Sequence, residues 1–268
     1  MDMEWFEAVI LGLVQGLTEF LPVSSSGHLV IGRDLLGVEA SDDLVFEVTV
    51  HAATVLSTIV VFRRQLWDLI KGFFRFRNND ETDYVLKIFL SMVPVFIVGV
   101  FFKDAVTGLF GSVRSVAWAL LATAVLLCFS DFFKGFRKVR EKEYRNGISW
   151  WQAFVVGLSQ AVAVIPGLSR SGTTIATGLI SGVKRNVMAQ FSFLMVLIPI
   201  LGETFLQLVG GEMSGSSIGW LPLLLGFVSA FVSGLFACKV MIALVKKARL
   251  SWFALYCFIV ATVILVLK

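Results

Sequence analysis

Residues 15–28 read Gln15-Gly-Leu-Thr-Glu19-Phe-Leu-Pro22-Val-Ser24-Ser25-Ser26-Gly27-His28, inside an apolar segment that runs over 5–38. A carboxylate, an amide, a serine run and a histidine at that depth are expensive unless they build a site. Gln15 and Glu19 are four apart, so one helical face carries both. Pro22 stops that helix, and the serines are strong N-cap residues for a second helix that begins near Gly27. The segment is a helix–break–helix rather than one span. A second stretch, Pro166-Gly-Leu-Ser169-Arg170-Ser171-Gly172-Thr173-Thr174 inside 150–183, repeats the pattern of break, cap and helix start.

The rest of the chain sets the solvent. Of 268 residues, 57% are hydrophobic and 16% charged, and the mean hydropathy is +0.86. A soluble domain is nearer about half apolar and about a quarter charged, so this is an integral, polytopic membrane protein. Apolar runs such as Leu44–Phe62, Val85–Phe102, Val116–Phe133 and Trp252–Leu267 approach the roughly 20 residues a helix needs to cross a bilayer. Disorder, a collagen-like chain and a small disulfide scaffold are excluded. A net charge of +4 raises nucleic acid as a partner, but the basic residues form no groove-binding stripe, so no nucleic acid is expected. Cys128, Cys238 and Cys257 lie within apolar runs without ligand-like spacing and are expected to pack as buried apolar groups. Asp2, Glu4 and Glu7 stand where a signal peptide would carry basic residues, so no cleaved signal is expected.

Charge fixes the topology. Eighteen of the 23 Lys and Arg fall into four clusters: 63–87, 134–145, Lys184/Arg185 and 239–249. The positive-inside rule makes these cytoplasmic, leaving Arg33, Lys103, Arg114 and Lys268 outside and Arg170 alone in an apolar region. Segments near 44–62, 85–103, 114–133, 187–209, 219–242 and 250–267 then make six alternating spans. Segments 5–38 and 150–183 must each leave and return on one side. Broken backbone at membrane depth is tolerated when it is buried in protein or lines a cavity, so both are expected to be re-entrant hairpins.

The hairpins are related. At an offset of 145, Trp5, Ala8, Gly12, Leu13, Gln15, Ser24, Ser26 and Gly27 recur as Trp150, Ala153, Gly157, Leu158, Gln160, Ser169, Ser171 and Gly172. Eight identities in 28 ungapped positions exceed the roughly two that chance gives. Repeat one covers about 1–133 and repeat two about 150–268, with a cytoplasmic basic loop, 134–149, between them in a single membrane domain. Each repeat holds one hairpin and three spans, so the second is inverted. The expected fold is therefore an all-α inverted-topology repeat whose two hairpin tips meet near the midplane.

Such tips would aim backbone N–H groups at an anion, phosphate above all. Ser24, Ser26, Ser169, Ser171, Gly172 and Thr173 are the candidate phosphate-binding positions, although capping alone explains the serines. Arg170 suits bidentate phosphate binding, with a salt bridge to Glu19 as the competing role. Glu19 and Gln15 are candidate ligands for Mg²⁺ or Ca²⁺. His28 beside the serines raises nucleophilic chemistry, or a plain capping role. Ser25 stands apart, because its repeat partner is Arg170. Glu47 and His51, four apart, either pair with each other or support the site from behind. Asp131 reads as interfacial, the stretch 134–145 as a solvated loop that meets anionic lipid, and Glu203 has no assigned role.

Gln15-x-x-x-Glu19, Pro22-Val-Ser-Ser-Ser-Gly-His28 and Pro166-Gly-Leu-Ser-Arg170-Ser-Gly-Thr together resemble the undecaprenyl-diphosphate phosphatases of the bacitracin-resistance type, over the whole chain. The resemblance implies a metal-dependent enzyme of the bacterial inner membrane with its active site facing the periplasm. Its substrate would be a polyprenyl diphosphate lipid, and its product would regenerate the carrier for peptidoglycan synthesis. It also implies that Glu19, His28 and Arg170 are essential and that Ser24 and Ser25 are active-site hydroxyls. Gln15 is an accepted variant of the first acidic position and removes one charge from the metal site. His51 stands where a neutral polar residue such as Gln is expected, which argues against a catalytic role for it.

The expected mechanism is phosphoryl transfer between the tips. Arg170, the N–H groups after Ser169–Gly172 and a divalent ion near Glu19 hold the diphosphate, and Ser25, activated by His28, attacks the terminal phosphorus. A variant makes His28 the nucleophile. The rival reading is a transporter or flippase of an anionic isoprenoid lipid using the same midplane site; Ser25 with His28 favours the enzyme. Membrane lipids surround the protein in either case, and a homodimer is compatible with both.

Overall fold

The computed structural model describes residues 3–38, 43–102, 112–133, 144–202, 218–247 and 249–268. These form helices and turns, with no strand among the described residues. In chain order the helices are α1 (Trp5–Thr18), α2 (Ser25–Leu36), α3 (Asp43–Phe73), α4 (Asp80–Phe101), α5 (Val113–Phe133), α6 (Trp150–Val162), α7 (Arg170–Ile180), α8 (Arg185–Met195), α9 (Trp220–Lys247) and α10 (Ser251–Leu267). A short 3₁₀ turn, Arg145–Gly147, precedes α6. After an interruption at Val196, helix resumes to Gly202.

Among the described residues, five stretches are long and apolar enough to cross a membrane: Val45–Phe73, Asp80–Phe101, Val113–Phe133, Arg185–Gly202 and Trp220–Val245. The sixth expected span is α10, which is apolar but only 17 residues long. Large apolar side chains such as Phe96, Trp118, Val232 and Phe236 are well exposed on the outer faces of α4, α5 and α9, a surface suited to lipid rather than water. The chain is a multi-pass membrane protein. Helix α3 outruns its expected end at 62 because Arg63-Arg-Gln-Leu-Trp-Asp-Leu-Ile-Lys71 is made largely of good helix formers. Hydropathy marks where the bilayer ends, not where the helix does.

The two short pairs, α1/α2 and α6/α7, have matching local geometry. Glu7 accepts a hydrogen bond from the Glu4 N–H at 2.8 Å, and 145 residues later Gln152 does the same for Ser149, also at 2.8 Å. Each pair folds back on itself, and each first helix lies along a long one, α1 on α9 and α6 on α4. Small residues set those approaches. A methyl on Gly12 or Gly16 would collide with the α9 carbonyls of Gly226 or Ala230, and one on Gly157 with the Ser91 carbonyl of α4. Such small-residue seams let backbones meet where the hydrophobic effect does not drive helices together. Ser229 on α9 closes its seam by donating to the Val9 carbonyl at 3.1 Å, and Ser57 on α3 donates to Phe231 of α9 at 2.8 Å. Helix α5 packs between α10 on one side and α2 and α7 on the other.

Three local expectations need correction. Cys128 is exposed on α5, unlike the buried Cys238 and Cys257, because its position falls on the outward face of a helix that is apolar all round. Asp131 is not merely interfacial: its Oδ1 accepts from Arg185 Nη2 at 2.5 Å, and its Oδ2 accepts from the Ser251 N–H at 2.9 Å. One carboxylate thus clamps the C-terminal end of α5 to the start of α8 and caps α10. Lys87, counted with a charged loop, is buried, and its ammonium donates to Asp83 at 2.6 Å and to the Arg145 carbonyl at 3.0 Å. Glu203, Lys103 and residues 134–143 of the basic loop lie outside the described residues.

Replacing Asp131 with alanine is expected to cost about 3 kcal/mol, since it breaks a largely buried ion pair with Arg185 and uncaps a helix. Thermal unfolding in detergent should show a clearly lowered midpoint. Asp131→Asn, which keeps an acceptor for the Ser251 N–H, should fall between the two.

Candidate active site

The two breaks in the short pairs face each other. Helix α1 ends on Glu19, whose N–H bonds the Gln15 carbonyl at 2.9 Å, so Gln15 and Glu19 share a face as their spacing requires. Ser24 then caps α2, its hydroxyl accepting from the Gly27 N–H at 3.2 Å. It does so with φ at 70°, a conformation that costs a non-glycine residue about 1–3 kcal/mol. Ser169 caps α7 with the same hydrogen bond, accepting from the Gly172 N–H at 3.1 Å, but from ordinary extended backbone. Gly167, at φ 84°, turns the second break so closely against Val116 of α5 that a side chain there would strike its backbone. Thr123 of α5 braces the tip by accepting from the Ser169 N–H at 3.0 Å.

Contact between the tips is direct. Arg170 Nη2 donates to Glu19 Oε1 at 2.7 Å, and the Ser171 hydroxyl donates to the Leu21 carbonyl at 3.0 Å. Glu19 Oε2 accepts from Ser25 Oγ at 2.5 Å and from Gln15 Nε2 at 2.9 Å. One carboxylate, 8% exposed, therefore gathers an amide from its own helix, a hydroxyl from the next helix and a guanidinium from the other half. Glu19, Ser25, Ser169, Arg170 and Ser171 line a cleft of about 30 Å³ that continues along the apolar side chains of Val55, Phe193, Leu197 and Ile200.

The structure separates other residues that the sequence grouped. Ser25 gives its proton to Glu19, not to His28. The His28 ring turns elsewhere, with Nδ1 on the Ser24 carbonyl at 2.7 Å and Nε2 on the Tyr256 hydroxyl of α10 at 2.8 Å. The N–H groups of Gly27, Gly172 and Thr173 are consumed inside the two caps, so Gly172 and Thr173 do not offer them to an anion. The first two N–H groups of each second helix, those of Ser25, Ser26, Arg170 and Ser171, have no partner among the described residues and remain for that role. Ser26 Oγ lies 3.4 Å from Ser24 Oγ, and Ser171 Oγ the same distance from Ser169 Oγ.

His51, discounted from sequence, places Nε2 3.8 Å from Glu19 Oε2. Its Nδ1 holds the backbone carbonyl of Glu47 at 2.8 Å, so the two residues meet through the main chain and not through the Glu47 carboxylate. The i, i+4 spacing on α3 was the available signal for His51. Thr54, Thr58 and Ser192, which add hydroxyls to the cleft wall, carried none.

The family described as bacitracin resistance protein BacA matches residues 8–263 of this chain. The chain belongs to the BacA family. A relative from Bacteroides fragilis named undecaprenyl-diphosphatase is 53% identical over 270 residues, covering 99% of each chain. One of the same name from Parabacteroides distasonis is 54% identical over 265 residues and covers 97% of each. A more distant one, from Halothermothrix orenii, is 37% identical over 267 residues, 99% of this chain and 98% of its own. The family expected from the two tip motifs is the one found.

The divalent cation implied for a BacA protein can be tested against the donors present. Among the described residues no group of three His, Cys, Asp or Glu is placed to hold a metal. Gln15 Oε1 is a buried acceptor without a partner, on the amide whose nitrogen donates to Glu19. Amide oxygen, carboxylate and Ser25 hydroxyl are hard ligands suited to Mg²⁺ or Ca²⁺ but fill only part of a shell of about six or more. The site in this BacA chain fits a cation that shares its remaining ligands with phosphate oxygens.

Proposed function

We infer that this BacA-family membrane protein hydrolyses undecaprenyl diphosphate to undecaprenyl phosphate and inorganic phosphate. In that role it recycles the lipid carrier for peptidoglycan synthesis in the bacterial inner membrane and confers bacitracin resistance. The observation that carries the reading is the convergence on Glu19 of Ser25 Oγ and Arg170 Nη2 from two different helix starts. A nucleophile, a proton acceptor and a phosphate-binding cation are thereby within one hydrogen-bonded group.

The steps follow from that geometry. Arg170 and the N–H groups at the starts of α2 and α7 receive the terminal phosphate. Ser25 Oγ, giving its proton to Glu19, forms a bond to the terminal phosphorus as the bond to the bridging oxygen breaks, and undecaprenyl phosphate departs. Water then attacks the phosphoserine and His28 takes a water proton at Nε2; the Ser25 Oγ–P bond breaks as Glu19 returns its proton to Oγ, and inorganic phosphate is released. Glu19 and Gln15 would hold the divalent cation implied for the family, which would offset the charge of the headgroup. The lipid tail follows the apolar wall of the cleft.

The same reading takes α1/α2 and α6/α7 as re-entrant hairpins of an inverted repeat with six spans. Matched caps, matched glycine seams and the 145-residue offset support it, and the clustering of basic residues supports a site open to the periplasm.

The test is phosphate release from undecaprenyl diphosphate by detergent-purified protein. EDTA should abolish release and Mg²⁺ or Ca²⁺ should restore it. Rapid acid quenching should trap an acid-stable phosphoenzyme that maps to Ser25. An acid-labile phosphoenzyme on His28 would replace Ser25 as the nucleophile, and no release from folded protein would remove the phosphatase reading.

A further inference from the structure

Tyr256 lies far from the tip motifs in sequence, yet it is the residue that meets His28. Its hydroxyl is 2.8 Å from His28 Nε2, and the two rings lie nearly parallel, 10° apart, with centroids separated by 5.6 Å. The other ring nitrogen, Nδ1, is 2.7 Å from the Ser24 carbonyl. A carbonyl only accepts, so Nδ1 must carry the hydrogen. In the neutral ring Nε2 is then a bare lone pair, and the tyrosine hydroxyl donates to it. Both ring nitrogens are occupied and the ring plane is fixed by stacking.

The place of this contact matters as much as its geometry. Helices α2 and α10 do not pack backbone to backbone; α10 packs on α5. Side-chain contacts join α10 to α2, among them Tyr256 to His28 near the start of α2 and Lys268 Nζ to Asp34 at 2.6 Å near its end. Tyr256 is 44% exposed, so one edge of its ring faces out while its hydroxyl faces the imidazole. The hydroxyl stands over the one ring nitrogen that can act as a base.

We propose that Tyr256 is the positioning residue of His28: with the tautomer set by the Ser24 carbonyl, its stacked ring and hydroxyl hold the imidazole in place and cover Nε2 at the seam between α2 and α10 until the attacking water displaces the hydroxyl. This rests on the phosphatase reading for what His28 does, but not for how the ring is held. Tyr256→Phe keeps the stacked ring and removes the donor; Tyr256→Leu removes both.

Two readouts test it separately. The chain has two histidines, so in a His51→Gln background His28 is the remaining one, and its acylation by diethyl pyrocarbonate reports access to the bare nitrogen. At fixed neutral pH, Tyr256→Phe should raise the rate of His28 modification about tenfold, the factor set by losing one hydrogen bond. An unchanged rate overturns the proposal, whatever the activity. In the otherwise unaltered protein, Tyr256→Phe should lower kcat for phosphate release about tenfold with KM nearly unchanged, and Tyr256→Leu should lower it further. In a His28→Ala background Tyr256→Phe should have no additional effect. A loss that persists without His28 would show that Tyr256 acts through general packing, and would overturn the proposal. If the unaltered protein releases no phosphate, the phosphatase reading falls while the labelling result still decides the role of Tyr256.

Discussion

Replacing Arg170 with alanine is expected to lower phosphate release from undecaprenyl diphosphate by about three orders of magnitude, the scale on which an arginine contributes to phosphoryl transfer. Arg170 carries the permanent positive charge among the described residues that line the cleft. Its planar fork matches two phosphate oxygens at once, and its value grows as charge spreads over the transferred group. Arg170→Lys keeps the charge but not the fork and should recover only part of the loss. Alanine also strands the carboxylate of Glu19 at 8% exposure, so a fall in activity alone would be ambiguous. The Arg170→Ala/Glu19→Gln double variant removes the stranded charge; it should regain thermal stability over the single variant and remain inactive. Activity within tenfold of the parent in folded Arg170→Ala protein would move the phosphate site away from the hairpin tips.

Ser25→Ala should cost at least about 10³-fold in kcat, as expected when a nucleophile is removed and only binding and charge stabilisation remain. The substitution leaves Glu19 bonded to Arg170 and Gln15, so the fold should be little disturbed. The trapped phosphoenzyme should vanish with the activity. Ser24→Ala makes the contrasting control, because Ser24 caps α2 through the Gly27 N–H. It should cost about 1 kcal/mol of stability and far less of the rate. Comparable losses from the two serines would mean that the α2 start is only a structural cap. A loss of only tens-fold in Ser25→Ala would point to His28 as the attacking group.

The breaks and the caps were legible because they are local, and the meeting of the tips because the two segments repeat. Pro22 follows closely on the end of α1, a serine caps the helix that comes next, and a 145-residue offset needs no coordinates. The bridge from Arg170 to Glu19 was legible as one of two roles because an intramembrane guanidinium needs a partner. What could not be read was the direction of single side chains. His28 and Ser25 are three apart on α2 and look like partners, but Ser25 turns to Glu19 while His28 turns to Tyr256, which is 228 residues further along the chain. His51 was set aside by comparison with an expected residue type, while its proximity to Glu19 depends on how α3 packs against the end of α1. Asp131 was placed correctly at a helix end; its use as a clamp depends on where α8 and α10 begin in space.

The glycine seams have a consequence for how the cleft admits its cargo. With Gly12 and Gly16 against α9 and Gly157 against α4, each first hairpin helix is keyed to a long one, and the keyed pairs can only travel as blocks. The bonds that cross from one tip to the other, Arg170 to Glu19 and Ser171 to Leu21, act as the clasp between those blocks. In the proposed mechanism the headgroup competes with Glu19 for the same guanidinium. Entry and unclasping are then one event, driven by the headgroup's charge.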